Sequence, residues 1–145
     1  MKRNIRIFLV ALTISLAFAF TTSLALAKDM TVKDFTEEAF KNITQILPAD
    51  AKAMSDKNGA IFVDVREQDE YAAGHIPGAK SIPRGTVEWM IPKNFPDKNT
   101  SIIVYCEHGS RGALATYTIL QMGYRNAKNL EGGRAAWMEQ GFPGK

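Results

Sequence analysis

Cys106 is the only cysteine in a chain of 145 residues, and Arg111 follows it with four residues between them. The segment Tyr105-Cys-Glu-His-Gly-Ser-Arg-Gly112 comes after the apolar run Ser101-Ile-Ile-Val-Tyr105 and before a stretch with helical spacing. A thiol in a loop that leads from a buried strand into a helix lies where the helix's unpaired N–H groups point. Such a position stabilises an anion, and a nearby guanidinium adds to the effect. The chemistry implied is that of a nucleophilic thiolate ringed by backbone donors. Gly109 and Gly112 let the backbone curl around it. A lone cysteine at a strand end is also a common small core residue. It is His108, Gly109, Arg111 and the helix start together that favour the reactive reading. His108 itself suits three roles equally: tuning the thiolate, contacting substrate, or standing exposed without a special part. His75 and His108 with one cysteine and no close acidic cluster do not make a metal site. No glycine-rich nucleotide fingerprint, hydrolase elbow or zinc motif is present, and no cofactor is expected.

The elements that must position Cys106 can be read from periodicity and punctuation. Thr31 is a plausible N-cap, and Val32, Phe35, Ala39, Phe40 and Ile43 form one helical stripe expected to pack on the domain. Ile43 to Leu47 suits a short strand, and Pro48 the first turn of a second helix ending at Asn58-Gly59. Ala60-Ile-Phe-Val-Asp-Val65 reads as a buried strand, and Glu67 to Ala73 as a helix closing at Gly74. Lys80-Ser-Ile-Pro83 suggests a short strand, Val87 to Ile91 a short helix, and Lys93 to Thr100 a loop. A second buried strand, Ser101 to Tyr105, leads through the cysteine loop to a helix over Gly112 to Met122, closed at Gly123. Ala127 to Leu130 and Arg134 to Gln140 supply a last strand and helix. Strands alternating with helices predict an α/β domain with a mainly parallel central sheet and helices on both faces. Ligands of such sheets bind at the carboxyl ends of the strands, where Cys106 stands.

The first 27 residues read differently. Lys2, Arg3 and Arg6 precede an apolar core from Ile7 to Phe20, and Ala25-Leu26-Ala27 is a small-x-small cleavage pattern, so residues 1–27 are expected to be a signal peptide. An uncleaved membrane anchor is the alternative, weakened by Thr21, Thr22 and Ser23. Either way residues 28–145 lie outside the cytoplasm, in the periplasm or secreted. Those three basic side chains account for the whole excess of 18 Lys and Arg over 15 Asp and Glu. The remainder is neutral, so its charge offers no support for nucleic-acid or membrane-surface binding. One cysteine cannot form an internal disulfide, which leaves an inert, an intermolecular or a reactive thiol. Residues 28–45 form a helical extension, and residues 46–145 suit one compact domain with a sufficient core.

Three motifs then fall in one order. They are Asp64-Val-Arg-Glu67 with Glu70-Tyr71 and Gly74-His-Ile-Pro-Gly-Ala79; Cys106-Glu-His-Gly-Ser-Arg111; and Asn129-Leu-Glu-Gly-Gly133 with Trp137 and Gly141-Phe-Pro143. With these the chain resembles a single-domain rhodanese, the sulfurtransferase fold, over about Ile46 to Pro143. The resemblance implies that Cys106 takes a sulfane sulfur from a thiosulfate-like donor as a persulfide. It then passes the sulfur to cyanide, a thiol or a protein acceptor. It implies that the backbone N–H groups from Glu107 through His108, Gly109 and Ser110 to Arg111 hold the persulfide anion, and that Arg111 meets the donor's charge. Arg66 is expected to brace the loop by pairing with Glu70 or another acid, or else to face the pocket. Phosphatases of related architecture use a seven-residue Cys-x5-Arg loop; the six-residue loop here favours sulfur. Glu107 sets a carboxylate beside the nucleophile, so it is expected either to point to solvent or to signal a donor other than thiosulfate. An alternative class is a sulfur carrier or binding module that keeps the fold without turnover.

Overall fold

The computed structural model describes residues 29–57 and 59–144, so the expected export segment lies outside the described residues. Five short strands, β1 (Gln45–Ile46), β2 (Ile61–Asp64), β3 (Lys80–Ser81), β4 (Ile102–Tyr105) and β5 (Ala127–Leu130), form one sheet in the order β1-β5-β4-β2-β3. Every pairing is parallel, with Val63 opposite Val104 and Val104 opposite Asn129. A parallel sheet needs crossover connections that cover its faces. Among the described residues there are six α-helices, α1 (Val32–Asn42), α2 (Pro48–Asp56), α3 (Gln68–Ala73), α4 (Val87–Asn94), α5 (Ser110–Gln121) and α6 (Gly133–Glu139), and α2 to α5 form the crossovers between successive strands.

Strand alternation divides the core into two layers. Ile102 and Val104 of β4, with Val63 and Val65, pack against Val87, Ile91 and Phe95 of the α4 region and Ala115 and Ile119 of α5. The next residues along, Phe62, Ile103 and Tyr105, face the other way onto Ala51 of α2 and Trp137 of α6. Phe62 meets Trp137 edge-on, with ring centroids 5.1 Å apart. The expected α/β sheet with helices on both faces is therefore present, and its middle strand is the one that ends at Cys106.

Some boundaries differ from expectation, for physical reasons. Helix α4 runs through Pro92 to Asn94 rather than stopping at Ile91. Pro92 removes one backbone donor, but burial of Ile91 and Phe95 and the 2.8 Å bond from the Phe95 N–H to the Ile91 carbonyl hold the turn together. Helix α5 begins at Ser110, earlier than expected, because Gly109 caps it in the left-handed region with φ +97°. Helix α1 has its expected cap: the Thr31 hydroxyl accepts from the Asp34 N–H at 3.2 Å, and the Asp34 carboxylate accepts from the Thr31 N–H at 2.8 Å. It packs on α5. Ala39 of its apolar stripe is buried, whereas Val32 and Phe35 stay 79% and 51% exposed. Among the described residues no helix is long and apolar enough to cross a membrane.

Candidate active site

Tyr105 ends the central strand with its ring in the core and its hydroxyl accepting the Ile76 N–H at 3.1 Å; burial pushes this phenol well above its usual range. The next residue, Cys106, leaves the sheet at the carboxyl edge and is only 2% exposed. Its Sγ accepts the N–H of Gly109 at 3.2 Å. That bond requires the chain to fold back within three residues, which the positive φ of Gly109 permits at no steric cost.

The loop is held from behind by the chain's last helix. The Arg134 N–H donates to the Cys106 carbonyl at 2.8 Å, and the Ala135 N–H donates to the Glu107 carbonyl at 3.0 Å. Two carbonyls are thereby turned toward α6, as an anion-binding loop requires: oxygens on the outside leave amide hydrogens for the centre. The contact is tight. A Cβ at Gly133 would stand 2.5 Å from the Cys106 oxygen and 2.6 Å from the Glu107 oxygen. Gly133 therefore serves the cysteine loop, a role that its place far along the chain conceals.

Arg111 lies in the first turn of α5 and is committed to a partner. Its Nη1 and Nη2 donate to the two carboxylate oxygens of Glu70 in α3 at 2.7 and 2.8 Å. This fork holds Glu70 down at about 2, with the Glu67 N–H assisting. It also raises Arg111 above its ordinary value, and the nearby Cys106 contributes in the same direction. Arg111 is thus a fixed positive charge near the sulfur rather than a free arm awaiting a ligand.

Arg66, expected to pair with Glu70 or another acid, meets the other acids, Asp64 and Glu107, because Arg111 has taken Glu70. Arg66 is 3% exposed, and its Nε and Nη2 grip buried Asp64 at distances of 2.7 to 3.1 Å. Nη2 also donates to the Gly74 carbonyl at 2.7 Å, and Nη1 reaches Glu107 Oε2 at 2.9 Å. Burial alone would lower the guanidinium's pKa, but Asp64 and then Glu107 outweigh it and the net shift is upward. Glu107 does not project freely into solvent. Its second oxygen accepts from Arg134 Nη1 at 3.3 Å, so the carboxylate beside the nucleophile is bridged by two guanidiniums.

These groups border a cleft of about 390 Å³ lined by Arg66, Glu70, Ala73, Gly74, Glu107 and Arg134. Asp64, Glu70 and Glu107 balance Arg66, Arg111 and Arg134, so the mouth of the loop carries no net formal charge. Of the remaining sequence candidates, His108 and Ser110 are exposed and Gly109 is buried under the loop. Two contributors went unrecognised from sequence: Glu70 as the partner of Arg111, and Arg134, which reaches the site from a separate helix. The arrangement can hold a sulfur-centred anion within a tight backbone loop beside an electrically balanced cleft.

Comparison with known proteins gives a consistent family. The Rhodanese-like domain model matches residues 47–140. The thiosulfate sulfurtransferase GlpE of Pseudoalteromonas translucida is 30% identical over 68% of this chain and 90% of its own length. The tRNA uridine(34) hydroxylase of Erwinia tasmaniensis is 35% identical over 66% of this chain, but the match spans only 29% of that protein. A solved structure from Rhodopseudomonas palustris, a protein of unknown function called a possible tyrosine phosphatase, superimposes with a TM-score of 0.73 at 30% identity. It covers 83% of this chain and 98% of that one. Sulfurtransferase-named relatives matched over most of their own length support sulfur transfer as the general class of activity.

Proposed function

Because the chain belongs to the rhodanese-like domain family, we propose that it is an exported sulfurtransferase that carries sulfur as a persulfide on Cys106. The observation that carries this reading is the bond from the Gly109 N–H to Cys106 Sγ inside the loop that closes at Arg111. In the first half-reaction the Cys106 thiolate attacks the sulfane sulfur of a donor such as thiosulfate. A new S–S bond forms on Cys106, the donor's S–S bond breaks, and sulfite leaves with the electron pair. In the second, cyanide, a thiol or an acceptor protein attacks the outer sulfur and restores the thiolate. No external oxidant or reductant is needed. The amides from Glu107 to Arg111 stabilise the anion in both halves, and Arg111, anchored by Glu70, supplies a fixed positive charge.

Thiocyanate formation from thiosulfate and cyanide tests the reading in solution. Turnover should be lost in Cys106→Ala; equal turnover in that variant would exclude Cys106 as the sulfur carrier. Export is part of the proposal and rests on residues 1–27; cell fractionation with N-terminal sequencing should find the protein outside the cytoplasm, beginning near Lys28. A phosphatase reading is prompted by the name of the Rhodopseudomonas palustris neighbour. Four residues between Cys106 and Arg111 make the loop one short of the phosphatase length, so release of phosphate from an aryl phosphate should stay at background.

A further inference from the structure

The cleft lined by Arg66, Glu70, Glu107 and Arg134 holds several positive groups, each of them answered by a carboxylate. Arg111 is forked onto Glu70. Arg66 cannot swing out to meet a ligand, since it is buried and bound to Asp64 and to the Gly74 carbonyl. Its one donor directed elsewhere, Nη1, ends on Glu107. Arg134 reaches the same carboxylate from the other side, and its Nε is buried without a partner among the described residues. Glu107 thus stands where both guanidiniums converge, next in sequence to the nucleophile.

We propose that Glu107, bridged by Arg66 and Arg134, is a specificity-determining residue of the donor site that disfavours inorganic dianions and turns the cleft toward small organic hydropersulfides. This rests on the sulfurtransferase reading above. An incoming dianion must either compete with a carboxylate already seated on both arginines or sit beside it with nothing left to neutralise its second charge. An organic hydropersulfide of low net charge meets no such opposition. The cleft's volume of about 390 Å³ lies in the range of roughly 300–1,000 Å³ that organic ligands occupy, larger than a small inorganic anion fills. The chemistry balances without a co-reactant. The Cys106 thiolate attacks the outer sulfur of R–S–SH, the donor's S–S bond breaks as the new one forms, and R–S⁻ departs with the electron pair. The new hydropersulfide on Cys106 loses its proton to solvent.

The test measures rates of sulfur gain on Cys106 by quenched intact-protein mass spectrometry, with thiosulfate and with cysteine hydropersulfide prepared in situ. The quantity read is the ratio of the two second-order rate constants, which a general loss of structure would not move in one direction. Glu107→Gln releases both arginines from a charged partner and should raise the thiosulfate-to-hydropersulfide ratio at least tenfold. Arg134→Gln leaves Glu107 less neutralised and should lower the ratio several-fold. These opposite signs keep the proposal testable even if one variant folds poorly. A ratio that is unchanged or lower in Glu107→Gln, or higher in Arg134→Gln, overturns the role of Glu107 while leaving sulfur transfer intact. Failure of both donors to load sulfur on any variant overturns the sulfurtransferase reading, and the proposal with it.

Discussion

Gly133 lies against the Cys106 carbonyl so closely that a Cβ on it would stand 2.5 Å from that oxygen. The last helix and the nucleophile loop are therefore one packed unit, although 26 intervening residues separate the two positions along the chain. Gly133 also has φ +64°, a region that side chains enter at a cost. Gly133→Ala should lower stability by about 2–5 kcal/mol, the sum of left-handed strain and overpacking. It should also slow sulfur loading more than tenfold at temperatures where the variant is folded, because the loop must shift to make room. Denaturant melts and mass-spectrometric loading rates check the two effects separately. Wild-type behaviour in both would show that the loop does not depend on α6.

Arg66, which lines the cleft, is held by a buried ion pair to Asp64. Arg66→Ala leaves Asp64 in the core without its countercharge, and removal of one partner of such a pair costs about 3–5 kcal/mol. Urea unfolding should register a loss of that size. A loss under about 1 kcal/mol, the range of exposed pairs, would mean that Asp64 is compensated in another way.

The Glu70–Arg111 fork gives a pH dependence of defined sign. Glu70 titrates near 4.5 when unperturbed and at about 2 in the folded protein, chiefly because of the hydrogen bonds from Arg111. A carboxyl with a depressed folded pKa contributes stability that is complete above its unfolded value and is lost as the pH falls through its folded value. The stability difference between wild type and Glu70→Gln should accordingly be constant above about pH 5 and vanish near pH 2. With Glu70 and Arg111 side chains 32% and 41% exposed, solvent screening keeps it to about 1 kcal/mol or less. Unfolding titrations of both proteins at several pH values would reveal it; a difference that grows toward low pH would reverse the assignment.

The parts of this molecule that were legible in sequence are those set by local pattern. The β-branched runs ending at Asp64 and Tyr105 read as buried strands and are strands, and Pro48 sits at the first turn of α2 as its fixed φ suggests. Cys106 and Gly109 declared the loop, and the hydrogen bond between them has the expected sense. What local pattern does not encode is which charge meets which. Glu70 and Arg111 are 41 positions apart, as are Arg66 and Glu107, and the partner of each depends on how β2, β4 and the loops after them are set side by side. Sequence leaves the acid opposite Arg66 open between Glu70 and another; the fold gives Glu70 to Arg111 and sets Arg66 on Asp64 and Glu107. Arg134 was read only as the start of a helix. Its meeting with Glu107 arises because β5 lies beside β4, so the helix after β5 returns to the same edge of the sheet. Val32 and Phe35 show the opposite failure, a regular apolar stripe of which only part is buried.

The most direct measurement is the intact mass of the domain before and after exposure to excess thiosulfate or cysteine hydropersulfide, with Cys106→Ala alongside. A gain of one sulfur atom on the wild-type chain, absent from the variant and removed by cyanide, is the expected result. Sulfur that persists on Cys106→Ala, or a thiol that takes up an alkylating agent but no sulfur from either donor, would contradict a persulfide carried on Cys106.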